Sequence, residues 1–122
     1  KAVIIPKPPA GGIGDARGFM GALGMGAEGV CLGSAILTTK ESPASQEAKE
    51  GWIKTNVLSE NYHKQLYHRE LKGTRVLSAA VAHQKKSLSI HELVEKIMVE
   101  STEILTSWGF KGDTFTTLPK KN

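Results

Sequence analysis

Glycine spacing constrains this chain more than any other feature. The run Ala10-Gly-Gly-Ile-Gly-Asp-Ala-Arg-Gly18 is followed by Gly26-Ala-Glu-Gly-Val-Cys-Leu-Gly-Ser34. Each glycine mouth follows a short apolar segment, residues 2–5 in the first case and residues 30–32 in the second. A small helix over residues 16–23 fits between them. Two parallel strands joined by one helix bring both glycine-bearing ends to the same side of the sheet. Backbone N–H groups then converge where no side chain blocks an anion. The expected architecture is α/β, the C-terminal part of a (β/α)8 barrel with additional C-terminal helices.

The glycines could instead belong to a dinucleotide fold. Gly12-Ile-Gly14-Asp-Ala-Arg17 breaks the G-x-G-x-x-G pattern at its last position. No acid follows a second strand at the distance a ribose hydroxyl requires, so that fold is disfavoured. Two sharp turns that need glycine for backbone reasons alone remain the plain alternative. Paired glycine mouths on consecutive βα units weaken it. In phosphate-binding barrels the anion rests on the loops after the last two strands and on a helix N-terminus. Gly11, Gly12, Gly33 and Ser34 fit that arrangement.

Local signals fill in the rest. Pro6, Pro8 and Pro9 cannot donate ladder hydrogen bonds and end the first strand. Asp15 is the N-cap of the 16–23 helix, whose inner side carries Phe19, Met20 and Leu23. Gly18 and Gly21 weaken that helix, which points to close packing against the sheet. Gly24 and Gly26 close it. Ser42 followed by Pro43 predicts a helix start, with the helix reaching Thr55. The stretch 57–83 carries Tyr62, His63, Tyr67 and His68. Residues 73–77 within it read as a turn with a short extended piece. Ser89 and Glu92 form a capping box. From there Ile90, Leu93, Val94, Ile97, Met98, Ile104, Leu105 and Trp108 hold helical spacing up to Gly109. The tail after Gly112 is polar and irregular.

At 122 residues the chain is about half the roughly 200 to 250 residues of a complete βα barrel. It also opens abruptly on a strand. The expectation is therefore an incomplete barrel, with assembly of copies into a homo-oligomer as the other way to complete a core. Residues 1–56 would supply the last βα units of the phosphate-binding barrel. Residues 57–122 would form a helical extension packed on it.

The charge of +4 is modest and its lysines and arginines are scattered among acids, so no nucleic-acid footprint is expected. Aromatic residues make up only 6%, too few for a base-stacking platform. No apolar run approaches the ~20 residues that cross a bilayer, and no membrane partner is expected. Cys31, the single cysteine, lies in an apolar strand. A buried, inert thiol and a reducing, cytoplasmic setting follow. His63 and His68 do not stack on one helix face, and no carboxylate lies at ligand spacing, so no metal is expected. Neither His83 nor His91 has a partner that would make it a base, and no Ser-His-Asp or Cys-His set can be assembled.

The stretch Ala-Gly-Gly-Ile-Gly-Asp-Ala-Arg-Gly, then Ala-Leu-Gly-Met-Gly-Ala-Glu-Gly-Val-Cys-Leu-Gly-Ser, then Thr-Lys-Glu-Ser-Pro-Ala resembles the nitronate monooxygenase family. The flavin-dependent enoyl-ACP reductases are close relatives of that family. The resemblance covers about residues 10–50, with a fainter echo at Arg75-Val-Leu77. The phosphate-site part of the pattern is also similar to IMP dehydrogenases and glutamate synthases. The start Gly-Asp-Ala-Arg-Gly and the Lys-Glu-Ser-Pro-Ala segment favour the nitronate group.

The resemblance implies a (β/α)8 barrel holding FMN, with this segment supplying the seventh and eighth strands and their helices. It implies that amides of Gly11, Gly12, Gly33 and Ser34 hold the FMN phosphate, with Ala10 lining the same mouth. It further implies an FMN-dependent oxidoreductase that oxidises a nitronate or related small substrate with dioxygen. The family's catalytic histidine belongs to the earlier half of the barrel, so none of the histidines here takes that role. The Ile-Ile-Pro-Lys-Pro-Pro lead-in departs from the family's smooth strand. Two rivals remain: a phosphate-binding barrel enzyme without flavin, and a non-catalytic barrel piece that self-assembles.

Overall fold

A computed structural model describes residues 8–67, 78, 80–81 and 84–111. Among these residues the helices run in the order α1 (Ala16–Gly24), α2 (Ser34–Leu37), α3 (Gln46–Ile53), α4 (Glu60–Tyr67) and α5 (Ile90–Ser107). The expected strand over residues 2–5, the turn over 73–77 and the tail after Gly112 lie outside the described residues.

The expected strand over residues 30–32 is reduced to a single parallel bridge between Ala10 and Cys31. The Cys31 N–H donates to the Pro9 carbonyl at 2.9 Å. Among the described residues this is the segment's only bridge, and Pro8 and Pro9 have no N–H with which to lengthen the ladder. The same lack of neighbours overturns the expectation of a buried thiol. Cys31 is exposed.

Helix α1 begins and ends where its sequence directs. Asp15 is extended, and its carboxylate accepts from the Gly18 N–H at 2.9 Å. At the other end Gly26 adopts φ +94°, a left-handed conformation that favours glycine. There the Gly26 N–H bonds the Leu23 carbonyl and the Ala27 N–H bonds the Ala22 carbonyl, at 2.9 and 3.0 Å. This is the paired closure of a Schellman motif. Ala16, Met20 and Ala22 are buried, with Phe19 and Leu23 half-buried.

Close packing against a sheet does not account for the glycines of α1. A Cβ at Gly21 would meet nothing within 4 Å, and one at Gly18 would make only ordinary contacts from 3.4 Å. Close approach occurs instead at Gly14, just before the helix.

Helix α3 starts three residues later than its serine–proline signal predicts. Ser45 is the N-cap, accepting from the Ala48 N–H at 3.2 Å, whereas Ser42 closes a local turn by accepting from the Ala44 N–H. Long-range bonds hold this turn out of helix. The Lys40 N–H donates to the Leu88 carbonyl at 2.8 Å, and the Ser87 hydroxyl to the Thr38 carbonyl at 2.8 Å. The Glu41 carboxylate accepts from the Ile90 N–H at 3.0 Å, satisfying an orphan donor at the start of α5. Nearby, the nearly buried Lys49 ammonium donates to the Lys40 carbonyl at 3.1 Å.

Helix α5 matches its sequence signals at both ends. Ser89 and Glu92 form the reciprocal capping box. Gly109, at φ +93°, closes the helix through its N–H to Thr106, while Phe110 bonds Leu105. The apolar stripe turns Leu93 and Ile97 into a core with Ala35 of α2 and Ala80. Phe19, Leu32, Ile36 and Leu88 pack around that cluster. Helix α5 also lies against α1, so the C-terminal helix rests on the segment that carries the first glycine mouth.

Candidate functional site

The bridge between Ala10 and Cys31 fixes the relation of the two glycine turns. Because it is parallel, the chain leaves both partners in the same direction. Gly11 and Gly12 follow Ala10 directly, and Gly33 and Ser34 follow Cys31 by two and three residues. Both turns therefore emerge at the same end of the pair. Gly11 and Gly12 have φ of +103° and +71°, left-handed values that an L side chain adopts only with strain.

Space is the second property of the mouth. A Cβ built at Gly11, Gly12 or Gly33 meets no atom within 4 Å. Ala10, Gly11, Gly12 and Gly33 are exposed and Ser34 is half-buried. The backbone of both turns thus borders open space, a cradle that side chains at these positions would begin to fill.

The helices that leave the turns are capped differently. Asp15 places a carboxylate on the first turn of α1, where it serves the orphan N–H groups. Gly33 precedes α2 and supplies no side-chain cap. The Ile36 and Leu37 N–H groups bond the Gly33 carbonyl at 2.9 and 3.2 Å, and no capping side chain serves the start of this four-residue helix.

Behind the mouth, three residues distant in sequence hold both turns. The Ser34 hydroxyl accepts from the Ser78 N–H at 2.9 Å. The buried Gln84 carboxamide donates to the Gly14 carbonyl at 3.2 Å. A Cβ at Gly14 would lie 2.5 Å from the Ala80 carbonyl oxygen. Sequence reasoning missed all three contacts. Only Gly14 carried a local trace of them, as one more glycine in a glycine-rich run.

Among the described residues the remaining titratable groups form no second centre. His63 is exposed and meets the Tyr62 ring edge-on, with centroids 5.8 Å apart. His91 is exposed and lies 3.6 Å from Glu95 one helical turn on. His68 and His83 lie outside the described residues. No cluster of metal-ligating side chains occurs among the described residues. An open cleft between the start of α1 and α5 is lined by Asp15, Arg17, Lys96, Glu100 and Glu103, with none of the cradle residues. Two of its cations pair with acids of the same cleft, Arg17 with Asp15 at 3.0 Å and Lys96 with Glu100 at 3.9 Å, and Lys85 also lines it.

Among the described residues Glu92 carries the clear electrostatic perturbation. It accepts from the Ser89 N–H at 2.6 Å and from the Lys40 ammonium at 3.2 Å. Those bonds, the Ser89 backbone bond foremost, hold its carboxyl at about 2. The group stabilises the start of α5 and not the cradle.

Comparison with known proteins decides the family. The nitronate monooxygenase family model matches residues 1–61, half of the chain and all of the cradle. The chain belongs to the nitronate monooxygenase family. It is 55% identical over 44 residues to a probable nitronate monooxygenase of Staphylococcus saprophyticus, covering 36% of this chain and 12% of that protein. A probable nitronate monooxygenase of Staphylococcus haemolyticus is 48% identical over 48 residues, 39% of this chain and 13% of that protein. The chain therefore spans about an eighth of the length of these nitronate monooxygenases.

Among solved structures, FabK from Thermotoga maritima is similar at a TM-score of 0.70 and 18% identity, over 88% of this chain and 47% of that one. A point mutant of the same protein is similar at 0.70 and 20% identity, covering 44% of its chain. These likenesses show the fold. This member of the nitronate monooxygenase family carries the C-terminal part of a (β/α)8 barrel with helices added after it. No helix among the described residues is long and apolar enough to cross a membrane.

Proposed function

We propose that this chain supplies the phosphate-holding end of an FMN-dependent oxidoreductase acting on a nitronate or related small substrate with dioxygen. The observation that carries the reading is the parallel bridge that sends Gly11–Gly12 and Gly33–Ser34 out at the same end. The cradle fits a phosphoryl group on chemical grounds. A phosphate is bound well by N–H donors, and glycine lets the backbone approach it. Room for the group exists where Cβ atoms at Gly11, Gly12 and Gly33 would meet nothing.

The amides of Gly11, Gly12, Gly33 and Ser34 would hold the phosphate, with Ala10 lining the mouth. The flavin, when bound, supplies the redox chemistry. The residues of this chain bind and orient; none of the described histidines has the surroundings of a general base. Residues 1–56 would be the binding part and residues 57–122 the helical buttress.

The test is the visible absorbance of the protein as purified, followed by titration with FMN and with riboflavin. A two-banded yellow spectrum and tighter binding of FMN than of riboflavin are expected, because the two ligands differ only in the phosphate. Equal affinities would refute the cradle as a phosphate site. A colourless protein that binds other phosphate esters at the cradle, but not FMN, would replace the flavin reading with a flavin-free barrel enzyme.

A further inference from the structure

The residues behind the cradle form a clasp across both of its halves. Ser78 donates its N–H to the Ser34 hydroxyl at 2.9 Å, and Gln84 donates its carboxamide to the Gly14 carbonyl at 3.2 Å. A short turn connects them: the Val81 N–H bonds the Ser78 carbonyl at 3.2 Å, and the Gln84 N–H bonds the Val81 carbonyl at 3.0 Å. Ala80 sits between, in contact with Gly14 so close that no Cβ fits. Within this turn Ala80 and Val81 are 1% exposed and Gln84 5%, while Ser78 is half-buried. Leu93 and Ile97 of α5 pack with Ala80 from behind.

This clasp bears on the two elements least able to hold themselves. Gly11 and Gly12 have no side chains, and a glycine turn loses more conformational freedom on ordering than any other. Among the described residues the glycine run is tied by the bridge at Ala10, by the Asp15 cap and by Gln84 at Gly14. The bond to Gln84 is the one made by a side chain 70 residues away. Donors held in place before a ligand arrives cost the ligand less binding energy than donors it must order.

We propose that Gln84 is a positioning residue of the anion cradle. Its carboxamide fixes the Gly11–Gly14 turn at a set distance from the Gly33–Ser34 turn, which Ser78 of the same segment holds. The proposal rests on the reading of the cradle as a phosphate site. It predicts that Gln84 acts on the phosphate moiety of a flavin and not on its ring system.

The experiment measures dissociation constants of FMN and riboflavin by flavin fluorescence in the whole protein, for wild type, Gln84→Met and Gln84→Glu. Gln84→Met keeps the length of the side chain and removes the donor. It is expected to weaken FMN roughly ten-fold, the scale of one lost buried hydrogen bond, and riboflavin less than about two-fold.

Gln84→Glu adds a pH readout that a purely structural role would not move. Protonated, its carboxyl can donate to the Gly14 carbonyl; ionised, it repels that oxygen. Relative to wild type, its FMN affinity is expected to fall as pH rises while riboflavin affinity stays level. If both variants weaken the two ligands alike, or keep the wild-type ratio at every pH, Gln84 only supports the fold and the proposal is overturned. A wild-type protein that binds the two ligands equally is a different failure, because it removes the phosphate cradle itself.

Discussion

Replacing Gly14 and Gly21 separately by alanine gives opposite results if the packing described above is right. At Gly14 the new Cβ would stand 2.5 Å from the Ala80 carbonyl oxygen and 3.0 Å from the Ala80 Cβ. Ordinary carbon–oxygen contact begins near 3.3 Å, so the two backbones must part by about 0.8 Å. Ala80 cannot yield freely, because it is 1% exposed and packed with Leu93 and Ile97. A parting of that size also stretches the 3.2 Å bond from Gln84 beyond hydrogen-bond length. Overpacking costs about 1–3 kcal/mol and the lost bond about 1 kcal/mol, together roughly 2–4 kcal/mol. For a chain of this size that is a fall in Tm of about 8–16 °C.

At Gly21, inside α1, the new methyl group meets nothing within 4 Å. Alanine there restricts the unfolded chain and suits the helix, a gain of roughly 0.5–1 kcal/mol. Urea unfolding monitored by circular dichroism separates the cases, provided the slope with denaturant is unchanged. Two outcomes would refute the reasoning: Gly14→Ala within about 0.5 kcal/mol of the parent, or both variants shifting in the same direction.

Gly33→Val is expected to abolish FMN binding while leaving helical content intact, since its side chain grows into open cradle space; unchanged affinity in a flavin titration would remove Gly33 from the site. Leu93→Ala, at a position 1% exposed in the core, is expected to cost about 2–5 kcal/mol in urea unfolding. Asp15→Ala removes the α1 cap and is expected to cost about 1 kcal/mol by the same assay. The Glu92 carboxyl, held at about 2, stabilises the folded chain at every pH above its unfolded value near 4.5. That contribution fades as pH falls from 4.5 towards 2, so stability measured down this range should drop less in Glu92→Gln than in wild type.

What could be read from sequence divides by the range of the interaction. Helix α5 was legible at both ends because its capping box and its glycine closure act within a few residues. The same holds for Asp15 and Gly26 of α1. The start of α3 differs from its sequence signal because Ser42 and Pro43 obey a local rule that distant bonds override: Thr38, Lys40 and Glu41 are held by residues 87–90. An apolar triplet beside glycines reads as a buried strand, which is why the sequence points Cys31 inward. Burial, however, belongs to the neighbours of a strand, and among the described residues Cys31 has one bridge partner.

The cradle shows the same division within one site. Its glycine positions are legible in the sequence, since bare glycines in paired turns are a local signal, and the bridge between Ala10 and Cys31 brings the two turns out at one end. What holds them is not legible, because Ser78 and Gln84 reach Ser34 and Gly14 across 44 and 70 residues and carry no motif of their own. A glycine turn cannot carry the residues that fix it, as any side chain added there would occupy the ligand's space. The rigidity of such a site has to come from elsewhere in the fold. In this chain the glycine turns are held by Ser78, Ala80 and Gln84, with Ala80 packed against Leu93 and Ile97 of α5; on the reading proposed above, the affinity of the cradle would follow the packing of α5.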